Sequence, residues 1–123
     1  MARTWDLILT IAPEPLSTLK GKPGECTPLY KRLFREKGIY VIRDQQGEIV
    51  YIGIAGGGEK EGGLADRLWT HIAPKSALNR RLEKRRLLVE NCTVAIYKET
   101  DAMKRRRAEM YGIAVCNPPC NLD

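Results

Sequence analysis

Five side chains in this sequence could together handle a phosphate ester: Tyr40, Tyr51, Arg67, His71 and Glu109. Tyr40 ends the tripeptide Gly38-Ile39-Tyr40, and Tyr51 opens Tyr51-Ile52-Gly53 after ten intervening residues. On neighbouring strands of a hairpin, these two phenols can project close together on one face. Arg67 and His71 are four residues apart, a spacing that puts two side chains on one side of a helix. Phosphodiester hydrolysis needs a positive fork for the phosphate, a proton acceptor for water and a hard oxygen ligand for a divalent ion. Two phenols, a guanidinium, an imidazole and a carboxylate supply all three. Each residue also has a plainer use. The tyrosines suit the core of a hairpin, Arg67 a solvated surface, His71 the C-terminal end of a helix, and Glu109 a helical pairing with Arg105 or Arg106.

The elements that would carry these groups are legible from residue 38 onward. Gly38 to Arg43 and Glu48 to Ile54 are β-rich runs separated by the turn-forming Asp44-Gln45-Gln46-Gly47. A glycine-rich loop at 55–63 holds five of the eleven glycines. Leu64, Leu68 and Ile72 then fall at helical spacing, and Pro74 ends that helix. Ser76 is placed to cap a second helix running to about Glu90, with Leu78 and Leu82 on its apolar face. Cys92 to Glu99 reads as a third strand, and Thr100 or Asp101 caps a third helix reaching about Val115. This β-β-α-α-β-α order predicts an α+β fold, a small mixed or antiparallel three-stranded sheet flanked by helices. Residues 1–37 read as an N-terminal extension. It contains a candidate strand at Trp5 to Ala12, ended by Pro13 and Pro15, and a loop over 17–28. A short helix follows from Thr27 to Phe34, with Thr27 as its N-cap and Pro28 at its first position.

The chain has 123 residues, the size of one domain, and hydrophobic and charged fractions of 43% and 29%, which argue against wholesale disorder. No run is long and apolar enough to span a bilayer, and the start lacks a convincing secretory signal, so a soluble, cytoplasmic protein without a membrane partner is expected. Twenty-one Lys and Arg against 15 Asp and Glu give a formal charge of +6, which favours a polyanionic partner. Arg80, Arg81, Lys84 and Arg85 on the second helix, with Lys104, Arg105 and Arg106 on the third, form the candidate nucleic-acid-binding track. Cys26, Cys92, Cys116 and Cys120 read as inert thiols. No CxxC pair is present, and His71 is the single histidine, which argues against a zinc site.

The hairpin tripeptides, Arg67-xxx-His71, the helical Glu109 and the closing Pro118-xx-Asn121, in this order, resemble the GIY-YIG nuclease family across residues 38–121. The resemblance implies a divalent-metal-dependent endonuclease that hydrolyses DNA phosphodiester bonds with one site per chain. In that reading Glu109 holds one Mg²⁺ or Mn²⁺ ion with water and phosphate oxygens completing its shell. Tyr40 acts as general base, directly or through a water, and Arg67 clamps the phosphate. Tyr51 and His71 orient water and phosphate, and Asn121 supports the metal side. A lone site cuts one strand, so duplex, branched or damaged DNA would be nicked unless a homodimer supplies a second site. Two departures stand out. Ile54 occupies a position where the family often has Ser, Lys or Thr. The glycine-rich loop is also longer than in most members and, with Glu59 and Glu61 in it, is expected to point away from the site. The alternative is a non-catalytic nucleic-acid-binding module that keeps the same fold.

Overall fold

In the computed structural model, residues 11–15, 27–56, 63–73 and 75–121 are described, the first of these segments by its backbone alone. Most of the Trp5–Ala12 candidate strand, the 17–26 loop, Cys26, the glycine-rich residues 57–62 with Glu59 and Glu61, and Pro74 lie outside the described residues.

The fold is built on the hairpin of β2 (Gly38–Arg43) and β3 (Ile49–Ala55), which pair antiparallel with Tyr40 opposite Gly53 and Ile42 opposite Tyr51. The Asp44 carboxylate accepts from the amides of Gln46 and Glu48 at 2.9 and 3.0 Å, and Gly47 takes the left-handed φ of +85° that closes the turn. The register slips between Ile42 and Arg43, a bulge that lets both Val50 and Tyr51 pack with the same core cluster. On its other side β2 pairs antiparallel with β4 (Thr93–Lys98), completing the expected three-stranded sheet.

A further strand from the N-terminal extension, β1 (Ile11–Pro15), pairs antiparallel with β4, giving the order β1-β4-β2-β3 among the described strands. It includes Pro13 and Pro15, which the sequence reading treated as strand terminators. An edge strand has one side without a ladder partner, and the register shifts between Ile11 and Glu14, so proline is tolerated there.

Three helices cover one face of the sheet. α1 (Pro28–Leu33) begins as expected, with the Thr27 hydroxyl accepting from the Tyr30 amide at 3.2 Å. α2 (Leu64–Ile72) and α3 (Ala77–Lys84) meet at Ser76, whose hydroxyl donates to the His71 carbonyl at 2.6 Å and accepts from the Asn79 amide at 3.0 Å. Leu29, Leu33, Leu64, Leu68, Leu78 and Leu82 of these helices are buried against Tyr40, Ile42, Val94 and Ile96. Full burial of one such leucine is worth about 2 kcal/mol, so α1 belongs to the core although it comes from the extension.

α3 stops at Lys84 rather than near Glu90. Arg86 adopts a left-handed φ of +59°, and the amides of Leu87 and Arg86 donate to the carbonyls of Leu82 and Glu83, both at 2.9 Å. This hydrogen-bonded C-terminal stop arises with no glycine to announce it.

α4 (Ala102–Cys116) lies on the opposite face, packing Ala108, Ile113 and Cys116 on Ile39, Val41 and Ile52. Asp101 is its N-cap, accepting from the Lys104 amide at 3.0 Å, and Asn117 ends it in the left-handed region. Among the described residues, no helix is long and apolar enough to cross a membrane.

Candidate active site

The hairpin register sets Tyr40 and Tyr51 diagonally on one face, with ring centroids 6.1 Å apart in a stacked arrangement. α2 brings His71 over both rings, at 5.5 Å from Tyr40 and 5.3 Å from Tyr51. The Tyr40 hydroxyl and His71 Nε2 are 2.6 Å apart. Arg67, one turn earlier on α2, also hydrogen-bonds the Tyr40 side chain. A guanidinium can only donate, so the Tyr40 oxygen accepts from Arg67, and the histidine tautomer sets which of Tyr40 and His71 donates in the second hydrogen bond.

The charges are coupled across the sheet edge. Burial, ahead of the neighbouring Tyr51 phenol, pushes the Tyr40 hydroxyl well above its ordinary range, while Arg67 works against the shift. Tyr40 is therefore a neutral phenol at pH 7 in the free protein. Burial also raises the Glu109 carboxyl, with Arg106 and Arg67 pulling it back. Glu109 is half-buried on α4, and its charge is felt at Tyr40. Tyr40, Arg67 and His71 thus form one group with Tyr51 stacked against it, while Glu109 acts on Tyr40 and feels Arg67 only through charge.

His71 is pushed down to about 4, first by burial and then by Arg67 and Arg81. Since its folded value lies below the unfolded value of about 6.5, the unfolded chain binds more protons between those limits. Stability is therefore full above about pH 6.5 and falls as pH drops toward 4, by up to about 3 kcal/mol. His71 is the single histidine, so its imidazole resonance is unambiguous in an NMR titration. It is expected to move near pH 4, and a midpoint at 6 or above would refute the buried, neutral assignment.

Gly53 has a role that sequence reasoning did not assign. A Cβ built there would collide with Cζ and the hydroxyl oxygen of Tyr40, directly across the ladder. The absent side chain is what lets the Tyr40 ring lie over β3. Gly53→Ala is expected to cost about 1–3 kcal/mol by overpacking and to pull the Tyr40 hydroxyl off His71, read by denaturant unfolding and by the His71 titration. Equal offset of the two tripeptides about the turn would pair residue 40 with 51; the observed register, shifted between Ile42 and Arg43, sets it opposite Gly53, so no local signal marked this glycine. Tyr30 was also missed. Its hydroxyl donates to Asp66 at 2.6 Å and so anchors α1 to the first turn of α2, beside Arg67. Nothing local in the sequence marks that contact.

Asn121 is bound to the backbone of β3. Its side-chain oxygen accepts from the Ile52 amide and its NH₂ donates to the Ile52 carbonyl, both at 2.8 Å. The side-chain amide thereby clips the C-terminal 3-10 turn (Pro119–Asn121) to β3 next to Tyr51. It positions the strand and offers no ligand atom to the site.

The candidate basic residues divide by exposure. Arg80 and Lys84 are exposed, and with Ala77 and the half-buried Arg81 they line an open groove of about 360 Å³. Arg81 also donates to the Cys120 carbonyl at 3.2 Å, and Arg85 to the Arg81 carbonyl at 3.4 Å. Lys104 and Arg106 are exposed on α4. Arg105 must be removed from the track. It is only 3% exposed, and its guanidinium donates to the carbonyls of Glu99 and Thr100 at 3.1 and 2.8 Å, tying the end of β4 to the start of α4. Buried charge persists where carbonyls satisfy it, and a phosphate cannot reach it there.

Among the described residues, no three His, Cys, Asp or Glu side chains gather into a metal cage, and Cys92, Cys116 and Cys120 are free thiols. A single carboxylate still suits magnesium, which keeps several waters. Burial disfavours the charge on Glu109, and a bound cation would relieve that penalty, so the donor fits a divalent ion. No protein-family model, curated protein or solved structure matches the chain, so its relationships rest on these residues and their geometry.

Proposed function

We propose that this chain is a divalent-metal-dependent endonuclease of the GIY-YIG type, cutting DNA phosphodiester bonds with one site per chain. The observation that carries this reading is the 2.6 Å contact between Tyr40 and His71, made beside Arg67 and within the field of Glu109. A hairpin core would need the aromatic packing, but it has no need to set a neutral imidazole and a guanidinium on one phenol that also feels the charge of a half-buried carboxylate.

The residues divide the work by their exposure. Arg67 is exposed and presents a planar fork to the phosphate, where charge grows in the transition state. Tyr40 is fully buried, so the half-buried His71 and Tyr51 are the members of the aromatic group that reach solvent. The attacking water is oriented by this pair and yields its proton to the coupled Tyr40–His71 unit, with Arg67 favouring the phenolate form. Glu109 would hold Mg²⁺ or Mn²⁺, which when bound supplies positive charge to the departing 3′-oxygen. The α3 groove, linked to His71 through the field of Arg81, would follow the nucleic-acid backbone and give salt-dependent, sequence-independent affinity.

The non-catalytic alternative draws on one observation, the complete burial of Tyr40. Incubation with supercoiled plasmid and Mg²⁺ or Mn²⁺, against a chelator control, separates the two readings. Metal-dependent conversion to the nicked form is expected. Salt-sensitive binding without nicking would leave the binding module, and neither activity would remove both readings. Action on DNA also implies a cytoplasmic location.

A further inference from the structure

Among the described residues, no element packs on one face of α4, and the pattern of that face points to what covers it. Of the seven large hydrophobic residues exposed among the described residues, Met103, Met110, Tyr111 and Val115 lie on this one helix. Met103, Arg107, Met110 and Ala114 follow alternating spacings of four and three residues and are all exposed, the seam of a helix built to pack against another helix. Tyr111 and Val115 widen that seam. The face lies opposite the one that packs Ala108, Ile113 and Cys116 on the sheet. Exposed apolar surface concentrated in this way marks an interaction site more often than scattered surface residues do.

The charges select the occupant. Every cation of α4 lies in its N-terminal half, with Lys104, Arg106 and Arg107 exposed, while Met110–Cys116 carries no charge. No acid occupies the first turn and no base the last, so the charges run against the helix dipole. Nucleic acid would suit the basic half but would cover Met110, Tyr111 and Val115 with phosphate. A second α4 running antiparallel suits both halves at once. Each basic end would lie beside the negative C-terminal end of the other helix, and Arg107 would oppose Ala114, whose small side chain leaves room for the guanidinium to reach the terminal carbonyls.

We infer that this face is an antiparallel, two-fold α4–α4 interface between two copies of the chain, with Met110 at its centre. The same patch on both copies satisfies itself, as an isologous contact requires. One 15-residue helix from each copy makes a small interface, so the dimer belongs to the concentration-dependent class. Glu109 lies on a different side of α4 from this seam, so the inference stands independently of the nuclease proposal.

Sedimentation equilibrium of the full chain over a concentration series tests it, with no nucleic acid present. The mass is expected to rise from one chain toward two. Met110→Glu is expected to raise the dimer dissociation constant by at least about 30-fold, the effect of losing an interface hot spot. Met110→Ala, which adds no charge, should weaken association less. Met110 is 59% exposed, so both variants should keep the native circular-dichroism spectrum and thermal transition. A wild-type chain that stays monomeric at every concentration would overturn the inference. So would a Met110→Glu chain that associates like the wild type, or hydrogen exchange showing α4 protected by duplex DNA but not by self-association.

Discussion

Glu109→Gln is expected to abolish metal-dependent nicking while leaving DNA affinity and its salt dependence unchanged. The substitution keeps the size of the side chain and removes the carboxylate to which the proposed mechanism assigns the divalent ion. A metal that stabilises transition-state charge contributes several kcal/mol, and a loss of about 4 kcal/mol is roughly a thousandfold in rate. Calorimetric titration with Mg²⁺ or Mn²⁺ should lose its signal in the same variant. The fold should not suffer. Burial raises the Glu109 carboxyl, so the folded state disfavours its charge near neutral pH, and a neutral amide avoids that penalty. Retention of metal-dependent nicking by a well-folded Glu109→Gln chain would remove Glu109 from the mechanism.

Tyr40→Phe should be the next most damaging change. It retains the buried ring and its stacking on Tyr51, and removes only the oxygen that joins Arg67 to His71. Loss of a positioned proton carrier slows the chemical step by about 10²–10⁴-fold, so kcat should fall with KM little changed. Two polar partners would also lose a hydrogen bond, at a cost of about 1–3 kcal/mol, which a sound core tolerates. The pH profile discriminates further. If Tyr40 and His71 titrate as a unit, the residual activity of Tyr40→Phe should show a displaced pH dependence. A variant that nicks like the wild type would show that the hydroxyl only packs. A variant that unfolds would place Tyr40 among structural aromatics, and His71→Gln would then test the pair from its other member.

Where periodicity and capping act locally, the sequence was a good guide. The hairpin, α2 and α4 fall close to their expected limits, because turn chemistry at Asp44–Gly47, helical spacing at Leu64, Leu68 and Ile72, and the Asp101 cap are decided by near neighbours in the chain. Local reasoning failed where distant segments intervened. Pro13 and Pro15 would end an interior strand, yet they are accommodated at an edge that exists only because β4 lies alongside. Arg86 turns the end of α3 left-handed with no glycine to signal it. Arg105 stands among basic residues and reads as one more phosphate contact until β4 delivers two carbonyls to its guanidinium.

The candidate site divides in the same way. Residue types and spacing alone determined that Tyr40 and Tyr51 could share a sheet face and that Arg67 and His71 could share a helix side, because strand and helix periods are properties of the backbone. Only the tertiary structure decided that α2 lays His71 on Tyr40, that Gly53 leaves room for the ring, that Asn121 clips β3, and that burial holds Tyr40 and His71 neutral. Those outcomes depend on packing and dielectric surroundings, which arise from residues far apart in the chain and have no period for a sequence to display.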